Sequence, residues 1–415
     1  MTQLEMQGLA AKNASRVLSI AGTAKKNAAL EAIASALEAR QEEILAANQE
    51  DMTAAKAAGM RPSLQDRLAL DGSRIAGIVD GVRQVATLPD PIGETTKMST
   101  RPNGLVIGKR RVPLGVIGII YEARPNVTVD AAALCLKSGN AVILRGGKEA
   151  FHSNQAFVSI MRDALESAGL PRDCVALVTD TTRQSATELM NLTEYLDVLI
   201  PRGGAGLIKN VVEHAKVPVI QTGVGVCHVY VHGEADLDMA ARIIHNAKTS
   251  RPSVCNAAEC LLVDRAVARD FLPMAWQLLQ TKNVELRGCP EPRAILGDFV
   301  VPATEEDWDT EFGDYILAVK VVGGFDEAVE FIHAHGTGHS EAIVTNNYFA
   351  AQQFLDRVDA AAVYVNASTR FTDGNEFGLG AEIGISTQKM HARGPMGLEE
   401  LTSSKFVIYG TGQIR

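Results

Sequence analysis

Cysteine is scarce in this chain, which has 6 cysteines among 415 residues. They stand at Cys135, Cys174, Cys227, Cys255, Cys260 and Cys289. Their spacing does not match the paired cysteines of a structural zinc site, and so few thiols do not indicate a disulfide framework. The sequence therefore predicts no metal site, and free thiols in a reducing compartment.

A surplus of positive charge and long apolar runs are also missing. The formal net charge is −9, which argues against nucleic acid or an anionic membrane as the main partner. Because no run of about 18 apolar residues occurs, no transmembrane helix is predicted. Residues 1–12 lack the basic-then-apolar order of a secretory signal, so we expect a cytoplasmic protein.

The chain has ample apolar sequence, with 46% hydrophobic residues over a length that suggests two or three domains. Residues up to 89 have helical spacing, whereas 112–227 and 228–370 alternate short strands with helices. Such alternation is typical of parallel sheets covered by helices on both faces. We therefore expect an α/β fold.

Cys255 is the strongest candidate for a functional residue. It lies between a predicted helix, 240–248, and a predicted strand, 260–263. Lys248 and Arg251 just upstream are either solvated charges or cations that lower the pKa of the thiol, whose thiolate is the reactive form. The sequence predicts a nucleophile that attacks an acyl carbon and forms a thioester.

A polar turn follows the apolar strand predicted at 112–121. Asn126 in this turn is either a helix cap or an amide aimed at the oxygen of a reacting carbonyl group. Arg124 either binds a carboxylate or phosphate through paired N–H groups or forms a surface salt bridge. The turn therefore supplies a candidate oxyanion donor and a candidate substrate ligand.

Two glycine-rich turns are candidate phosphate sites, although each could also be an ordinary turn that binds no ligand. Arg145 and Lys148 enclose a pair of glycines after a predicted strand, which suits a phosphate or a solvated basic turn. Gly203 and Gly204 precede a predicted helix whose N-terminus suits a pyrophosphate, although the turn lacks the G-x-G-x-x-G pattern. His339, before the strand predicted at 342–345, has either a turn role or a role in substrate binding.

Taken together, these stretches resemble the aldehyde dehydrogenase superfamily. Residues 113–120 look like its cofactor-domain strand, the turn at Asn126 resembles its Pro-Trp-Asn turn, and 139–145 resembles its next strand. Cys255 falls at the position of the family's nucleophile, and Glu311 begins a stretch similar to its ribose-binding segment.

The resemblance implies an aldehyde dehydrogenase-like fold, with a Rossmann-type cofactor domain, an α/β catalytic domain and a small oligomerisation arm. The bounds that we expect are 1–98 and 112–227 for the NADP-binding domain, 228–370 for the catalytic domain, 99–111 and 398–415 for the oligomerisation elements, and 371–397 for a glycine-rich segment returning to the cofactor domain. The cofactor ligands it implies are Arg145, Gly146, Gly147, Lys148, Gly203, Gly204 and Glu311. The substrate ligands that we expect are Arg124, Arg251 and His339.

A narrower resemblance, to the γ-glutamyl phosphate reductases, covers nearly the whole chain. It is carried by the stretches 121–128, 200–204, 223–231, 246–256, 335–343 and 391–398. It implies NADPH-dependent reduction of the acyl phosphate γ-glutamyl phosphate to glutamate 5-semialdehyde, in proline biosynthesis. It also implies a homodimer or homotetramer and functional coupling to glutamate 5-kinase. The alternatives are an acylating aldehyde dehydrogenase that uses coenzyme A and a non-catalytic nucleotide-binding protein.

Two departures from the wider superfamily refine this interpretation. Gln221 lies 34 residues before Cys255. It stands at the position where acid-forming members have a glutamate that activates water. Its amide does not act as a general base at neutral pH, so we expect the thioester to meet hydride or phosphate rather than water. Lys148 stands where NAD-preferring members have a glutamate, and a cation there favours the 2′-phosphate of NADPH.

Overall fold

The computed structural model describes residues 1–122 and 124–415, apart from the side chains of Pro62 and Ser63. Ala123, within the 121–128 motif, lies outside the described residues. The chain forms two compact units. The first comprises Met1–Thr222, Gly378–Gly384 and Met396–Arg415, and the second comprises Gly223–Phe377 and Ile385–Pro395.

The α-helices, in chain order, are α1 (Gln3–Leu18), α2 (Thr23–Ala39), α3 (Gln41–Ala57), α4 (Pro62–Leu68), α5 (Gly72–Thr87), α6 (Pro125–Lys137), α7 (Phe151–Ser167), α8 (Arg183–Met190), α9 (Ala205–His214), α10 (Leu237–Thr249), α11 (Ala268–Leu279), α12 (Pro290–Leu296), α13 (Phe325–His335) and α14 (Tyr348–Arg357). The helical N-terminal region and the helix predicted at 240–248 are confirmed. Among the described helices, none has the length and apolarity needed to span a membrane.

The strands, in chain order, are β1 (Thr95–Thr100), β2 (Val106–Pro113), β3 (Val116–Tyr121), β4 (Ala141–Arg145), β5 (Val175–Leu177), β6 (Val198–Arg202), β7 (Cys227–Val231), β8 (Ala258–Asp264), β9 (Glu285–Gly288), β10 (Val300–Pro302), β11 (Ile316–Val322), β12 (Ser340–Val344), β13 (Ala362–Val365), β14 (Ile385–Ser386), β15 (Gly394–Pro395) and β16 (Thr402–Tyr409). The predicted α/β class is confirmed.

The first unit contains a parallel sheet with strand order β5-β4-β3-β6. Every residue of β3 is buried, as expected for a central strand covered on both faces. The strand predicted at 112–121 is in fact broken at Gly115, which has φ +131°. A Cβ atom at Gly115 would lie 2.1 Å from the Asp197 carboxylate, and that carboxylate accepts the Val116 N–H at 2.8 Å.

The first unit also contains an antiparallel sheet with the order β1-β2-β16. The exposed side chains of β16 include Phe406, Ile408 and Tyr409. This sheet contains parts of both segments that we expect to form the oligomerisation arm, and β16 is one of its edges. An exposed apolar edge strand is suited to pairing with another chain.

The second unit is built on a parallel sheet with the order β10-β9-β11-β8-β7-β12-β13. The central strands β7 and β8 are buried throughout. Their pairing contains a bulge, because Cys227 lies opposite Ala258 whereas His228 lies opposite Cys260. Glu259 is therefore the extra residue, and a bulge of this kind re-aims the side chain that it carries.

The bounds of the two compact units differ in detail from those that we expect for the domains. The second unit begins at Gly223 rather than at 228. Segment 371–397 does not return whole to the first unit, because β14 and β15 pair with each other in the second. Val219 pairs with Leu199 in an isolated bridge outside the strands. β9, α12 and β10 were not predicted, because such short elements have little periodicity.

Candidate active site

The Cys255 loop, residues 250–257, joins the end of α10 to the start of β8. Cys255 is a partly exposed free thiol, and the Ala257 N–H donates to the Val254 carbonyl group at 3.0 Å. The neighbouring strands β7 and β12 start at the same end of the parallel sheet as β8. The loop therefore lies at the amino ends of these strands.

Gly225, just before β7, lies directly against Cys255. A Cβ atom at Gly225 would lie 1.5 Å from the Cys255 carbonyl oxygen and 2.9 Å from its Cα atom. Both obstacles are backbone atoms, which cannot rotate away as a flexible side chain can. Glycine at 225 is therefore a steric requirement of this position of Cys255.

The Asn256 side chain holds the other side of the loop. Its amide donates to the carbonyl groups of Arg370, at 3.3 Å, and Thr372, at 2.9 Å. The Thr369 hydroxyl group donates to the Asn256 carbonyl group at 2.7 Å, and the Arg370 guanidinium contacts the Asn256 amide oxygen. These bonds join residue 256 to a segment more than a hundred positions away.

Lys248 is not a solvated cation beside the thiol. Its ammonium group lies 2.6 Å from the Glu259 carboxylate, and the two side chains are 0% and 1% exposed. Glu259 also accepts the Gly313 N–H at 3.1 Å. Burial lowers the pKa of Lys248 and raises the pKa of Glu259 to about 7. The pair bridges α10 and β8, the elements on either side of the Cys255 loop.

Arg370 is a residue that the sequence reasoning missed. Its guanidinium donates to the Ser250 hydroxyl group at 3.0 Å, and burial lowers its pKa, with the nearby positive charge of Arg251 acting in the same direction. Cys255 is also within its electrostatic range. Arg251 itself is exposed. Two cations therefore lie near the thiol, and no local pattern around residue 370 indicated the second.

His339 lies beneath this loop and is 0% exposed. Its Nδ1 atom is 2.9 Å from the Ser340 hydroxyl oxygen, and burial lowers its pKa to about 4, so the ring is neutral. The Nε2 atom of the ring has no hydrogen-bond partner among the described residues, and the substrate role expected for His339 stays a prediction.

Other residues of the stretch 335–343 form hydrogen bonds with the backbone of residues 226–228, at the start of β7. The Thr337 hydroxyl group accepts the Val226 N–H at 3.1 Å, and the Glu341 carboxylate accepts the His228 N–H at 2.8 Å. Glu311, expected on the cofactor ribose, accepts the Gly225 N–H at 3.2 Å. Its carboxylate thus helps to hold the segment that lies against Cys255.

Asn126 is the second residue of α6 and is exposed. Its amide donates to the Asp130 carboxylate at 3.0 Å, so its side chain is not the helix cap. Arg124, partly exposed, has the N-cap position but makes no side-chain cap bond. Burial raises the pKa of Asp130 to about 6, against the opposing effects of Asn126 and Arg202.

The end of β4 fits a bound anion in part. Arg145 donates to the carbonyl groups of Thr181 and Thr182 at 2.8 and 2.9 Å, and its Nε atom is buried without a hydrogen-bond partner among the described residues. Lys148 is exposed. A side chain at Gly147 would collide with the Glu149 carboxylate, an acid at this turn that the sequence reasoning did not consider.

The turn before α9 is less suited to a phosphate than predicted. The Glu122 carboxylate accepts the Gly204 N–H at 2.9 Å, and a Cβ atom at Gly203 would lie 2.7 Å from the same carboxylate. An acidic side chain therefore has the position at the helix N-terminus that an anion would take. The described residues also contain no group of three or more His, Cys, Asp or Glu side chains that could hold a metal ion.

Comparison with known proteins identifies the class of protein that has this fold and site. The aldehyde dehydrogenase family model matches residues 3–286. The chain therefore belongs to the aldehyde dehydrogenase family, whose members use a nicotinamide cofactor. An acetylating aldehyde dehydrogenase from Geobacillus thermoglucosidasius has the same fold, with a TM-score of 0.70 at 19% identity over all of both chains.

More similar relatives narrow the comparison. The γ-glutamyl phosphate reductase of Halothermothrix orenii is 61% identical over 413 residues, covering 100% of this chain and 99% of that protein. The one from Carboxydothermus hydrogenoformans is 62% identical over 98% of this chain and 97% of its own. The crystal structure of γ-glutamyl phosphate reductase from Thermotoga maritima has a TM-score of 0.97 at 51% identity, over 100% of both chains. The predicted resemblance is confirmed.

Lys248→Ala should destabilise the protein by about 3–5 kcal/mol, because it leaves the Glu259 carboxylate buried without its partner. The double variant Lys248→Met with Glu259→Met should recover most of this loss, since it buries no charge. The measurement is the free energy of unfolding in urea at neutral pH. A single variant as stable as the unsubstituted protein would contradict a buried ion pair.

Asp130→Asn should stabilise the protein above pH 6, because it removes a carboxylate whose charged form is disfavoured by burial and keeps an acceptor for Asn126. The folded pKa of Asp130, about 6, exceeds its ordinary value of 3.8. The folded state therefore binds more protons between these values, so the wild type gains relative stability as the pH falls through 6. The melting temperatures of both proteins are compared at pH 7.5 and pH 5.

The exposed Asp298 supplies the control, since Asp298→Asn removes the same charge from a solvated position. Its effect should be small at both pH values. An advantage of Asp130→Asn that stays constant from pH 7.5 to pH 5 would contradict a raised pKa of Asp130.

Proposed function

We propose that this chain reduces γ-glutamyl phosphate with NADPH, releasing glutamate 5-semialdehyde and phosphate as in the second step of proline biosynthesis. The observation that carries the proposal is the identity of about 60% over the whole chain to proteins named γ-glutamyl phosphate reductase. The partly exposed thiol of Cys255 in a tightly held loop supplies the nucleophile that this reaction needs.

Cys255 acts first, as its thiolate attacks the γ-acyl carbon of the substrate. The carbon–oxygen bond to phosphate breaks, phosphate leaves with the electron pair, and a thioester forms on Cys255. The Asn126 amide and the Cys255 backbone N–H stabilise the oxyanion that develops during the attack. Removing one such donor costs about 10²–10³ in rate in comparable enzymes.

The nicotinamide cofactor, when bound, supplies the hydride that converts the thioester into a thiohemiacetal, which then releases the aldehyde and the thiolate. The residues that would hold it lie around the end of β4. Arg145 and the exposed Lys148 supply positive charge there, and a cation at 148 favours the 2′-phosphate of NADPH. Gly203 and Gly204 are weaker candidates because of the Glu122 carboxylate.

Gln221 keeps the thioester from hydrolysis in this proposal. An amide side chain accepts no proton at neutral pH, so it cannot activate water for attack on the acyl carbon. The acyl group is therefore passed to hydride in the forward direction and to phosphate in reverse.

Arg251 and Arg370 are proposed as the cations that attract the anionic substrate to Cys255. They lie close enough for the charge of Arg251 to lower the pKa of Arg370, and a phosphate or carboxylate would relieve this repulsion. Arg124 remains a further candidate. We also propose that the β1-β2-β16 sheet pairs with another copy of the chain, giving a homodimer or homotetramer. The protein is proposed to act in the cytoplasm and to be coupled functionally to glutamate 5-kinase.

Cys255→Ala should abolish activity in both directions, because no thioester can form. The reverse reaction is the simpler assay: glutamate 5-semialdehyde, NADP⁺ and phosphate are mixed, and NADPH absorbance is followed. Cys289→Ala, which removes another partly exposed free thiol, should keep most of the activity. Appreciable turnover by Cys255→Ala would overturn the mechanism, and a response to coenzyme A in place of phosphate would indicate an acylating aldehyde dehydrogenase.

Lys148→Glu should lower the preference for NADPH over NADH by about tenfold or more, because a carboxylate repels the 2′-phosphate and suits a free 2′-hydroxyl group. The measurement is the ratio of kcat/KM for the two cofactors. Lys56→Glu makes the same charge change at an exposed position of α3 and should leave the ratio unchanged. Equal use of both cofactors by the unsubstituted enzyme would refute the NADPH assignment.

A further inference from the structure

A second cysteine supports the Cys255 loop from within. Cys227 is the first residue of β7 and is 0% exposed. Its Sγ atom donates to the Cys255 carbonyl oxygen at 3.2 Å. A Cβ atom at Gly225 would collide with this same oxygen. Gly225 therefore limits the position of the Cys255 carbonyl group sterically, and Cys227 bonds it.

The Cys227 thiol is suited to remain a donor. Burial raises its pKa well above the ordinary value, and the nearby Glu341 carboxylate acts in the same direction, so the sulfur keeps its proton. The Nδ1 atom of the neutral His339 ring is farther from the sulfur, at 3.7 Å. That nitrogen is also 2.9 Å from the Ser340 hydroxyl oxygen, which leaves the thiol proton for Cys255.

A chain of hydrogen bonds connects Ser340 to Asn256 through Thr372. The Ser340 hydroxyl group is bonded to the Thr372 hydroxyl group at 2.6 Å. The Thr372 carbonyl group accepts the Asn256 amide at 2.9 Å. The Cys255 carbonyl group is therefore held by the Cys227 thiol, and the side chain of the next residue, Asn256, is held by Thr372. These bonds, on the carbonyl group of Cys255 and on the residue that follows it, limit the movement of the Cys255 backbone and thereby the direction of its side chain.

We propose that Cys227 is a positioning residue, whose thiol fixes the Cys255 carbonyl group and thereby the orientation of the Cys255 side chain and backbone N–H toward the acyl carbon. The inference rests on the proposed role of Cys255 as nucleophile. A nucleophile and an oxyanion donor carried by one residue are both displaced when the backbone of that residue shifts. Small displacements of this kind lower the rate of attack more than the affinity for substrate.

The test compares Cys227→Ala, which removes the donor, with Cys227→Ser, which keeps one. Cys174→Ala is the matched control, because Cys174 is another 0% exposed free thiol and lies in the first unit, before β5. For each protein, kcat and KM of the reverse reaction are measured. The rate of Cys255 alkylation by iodoacetamide is followed by peptide-resolved mass spectrometry, and the melting temperature reports folding.

Cys227→Ala is expected to lower kcat about tenfold or more with little change in KM, and to change the rate of Cys255 alkylation. Cys227→Ser should recover a substantial part of kcat, and Cys174→Ala should retain it. If Cys227→Ala does not fold, the proposal is judged on Cys227→Ser, whose kcat must lie within about tenfold of the unsubstituted enzyme at unchanged KM.

Three outcomes would overturn the proposal: kcat of a folded Cys227→Ala within about twofold of the unsubstituted enzyme, an equal loss in Cys174→Ala, or a loss in Cys227→Ser as large as that in Cys227→Ala. In each of these cases Cys255→Ala would still be inactive, so the proposed function would stand. Activity that survives Cys255→Ala would instead refute the proposed function itself.

Discussion

The close approach of Gly225 to the carbonyl group of Cys255 is the constraint on which the rest of the site depends. The segment entering β7 and the loop entering β8 belong to neighbouring central strands of one parallel sheet, so their backbones must pass each other at contact distance. A side chain at 225 would occupy the space of the Cys255 carbonyl oxygen. Cys255 can therefore be partly exposed while its backbone is held tightly.

The groups that maintain this arrangement are polar and almost completely buried. Lys248 and Glu259 are 0% and 1% exposed, and the Cys227 thiol and His339 ring are 0% exposed. Burying such groups is costly unless they are paired, which makes a displaced arrangement of the loop unfavourable. The bulge at Glu259 is part of this design, because the extra residue aims its carboxylate at Lys248 rather than continuing the strand pattern.

The candidate functional residues lie at opposite strand ends in the two sheets. In the first, the candidate cofactor residues follow the carboxyl ends of β4 and β6, where open α/β sheets commonly bind ligands. In the second, the Cys255 loop precedes β8 and lies at the amino ends of its neighbours. At the amino ends of these strands, the Cys227 thiol bonds the Cys255 carbonyl group, and the Glu341 carboxylate accepts the His228 N–H.

The amino-acid sequence by itself determined the α/β class, the candidate nucleophile at Cys255 and the family, because strand and helix periodicity and short motifs are local properties. It could not determine that Lys248 is paired, that His339 is buried, or that Arg370 lies near the thiol. The Lys248 pair closes the Cys255 loop, over 11 positions. The other two facts depend on contacts between residues far apart in the chain, such as Asn256 with Thr372 at a separation of 116 positions. Only the packing of β7, β8 and β12 side by side decides them, since no local pattern records which distant side chain fills a buried position.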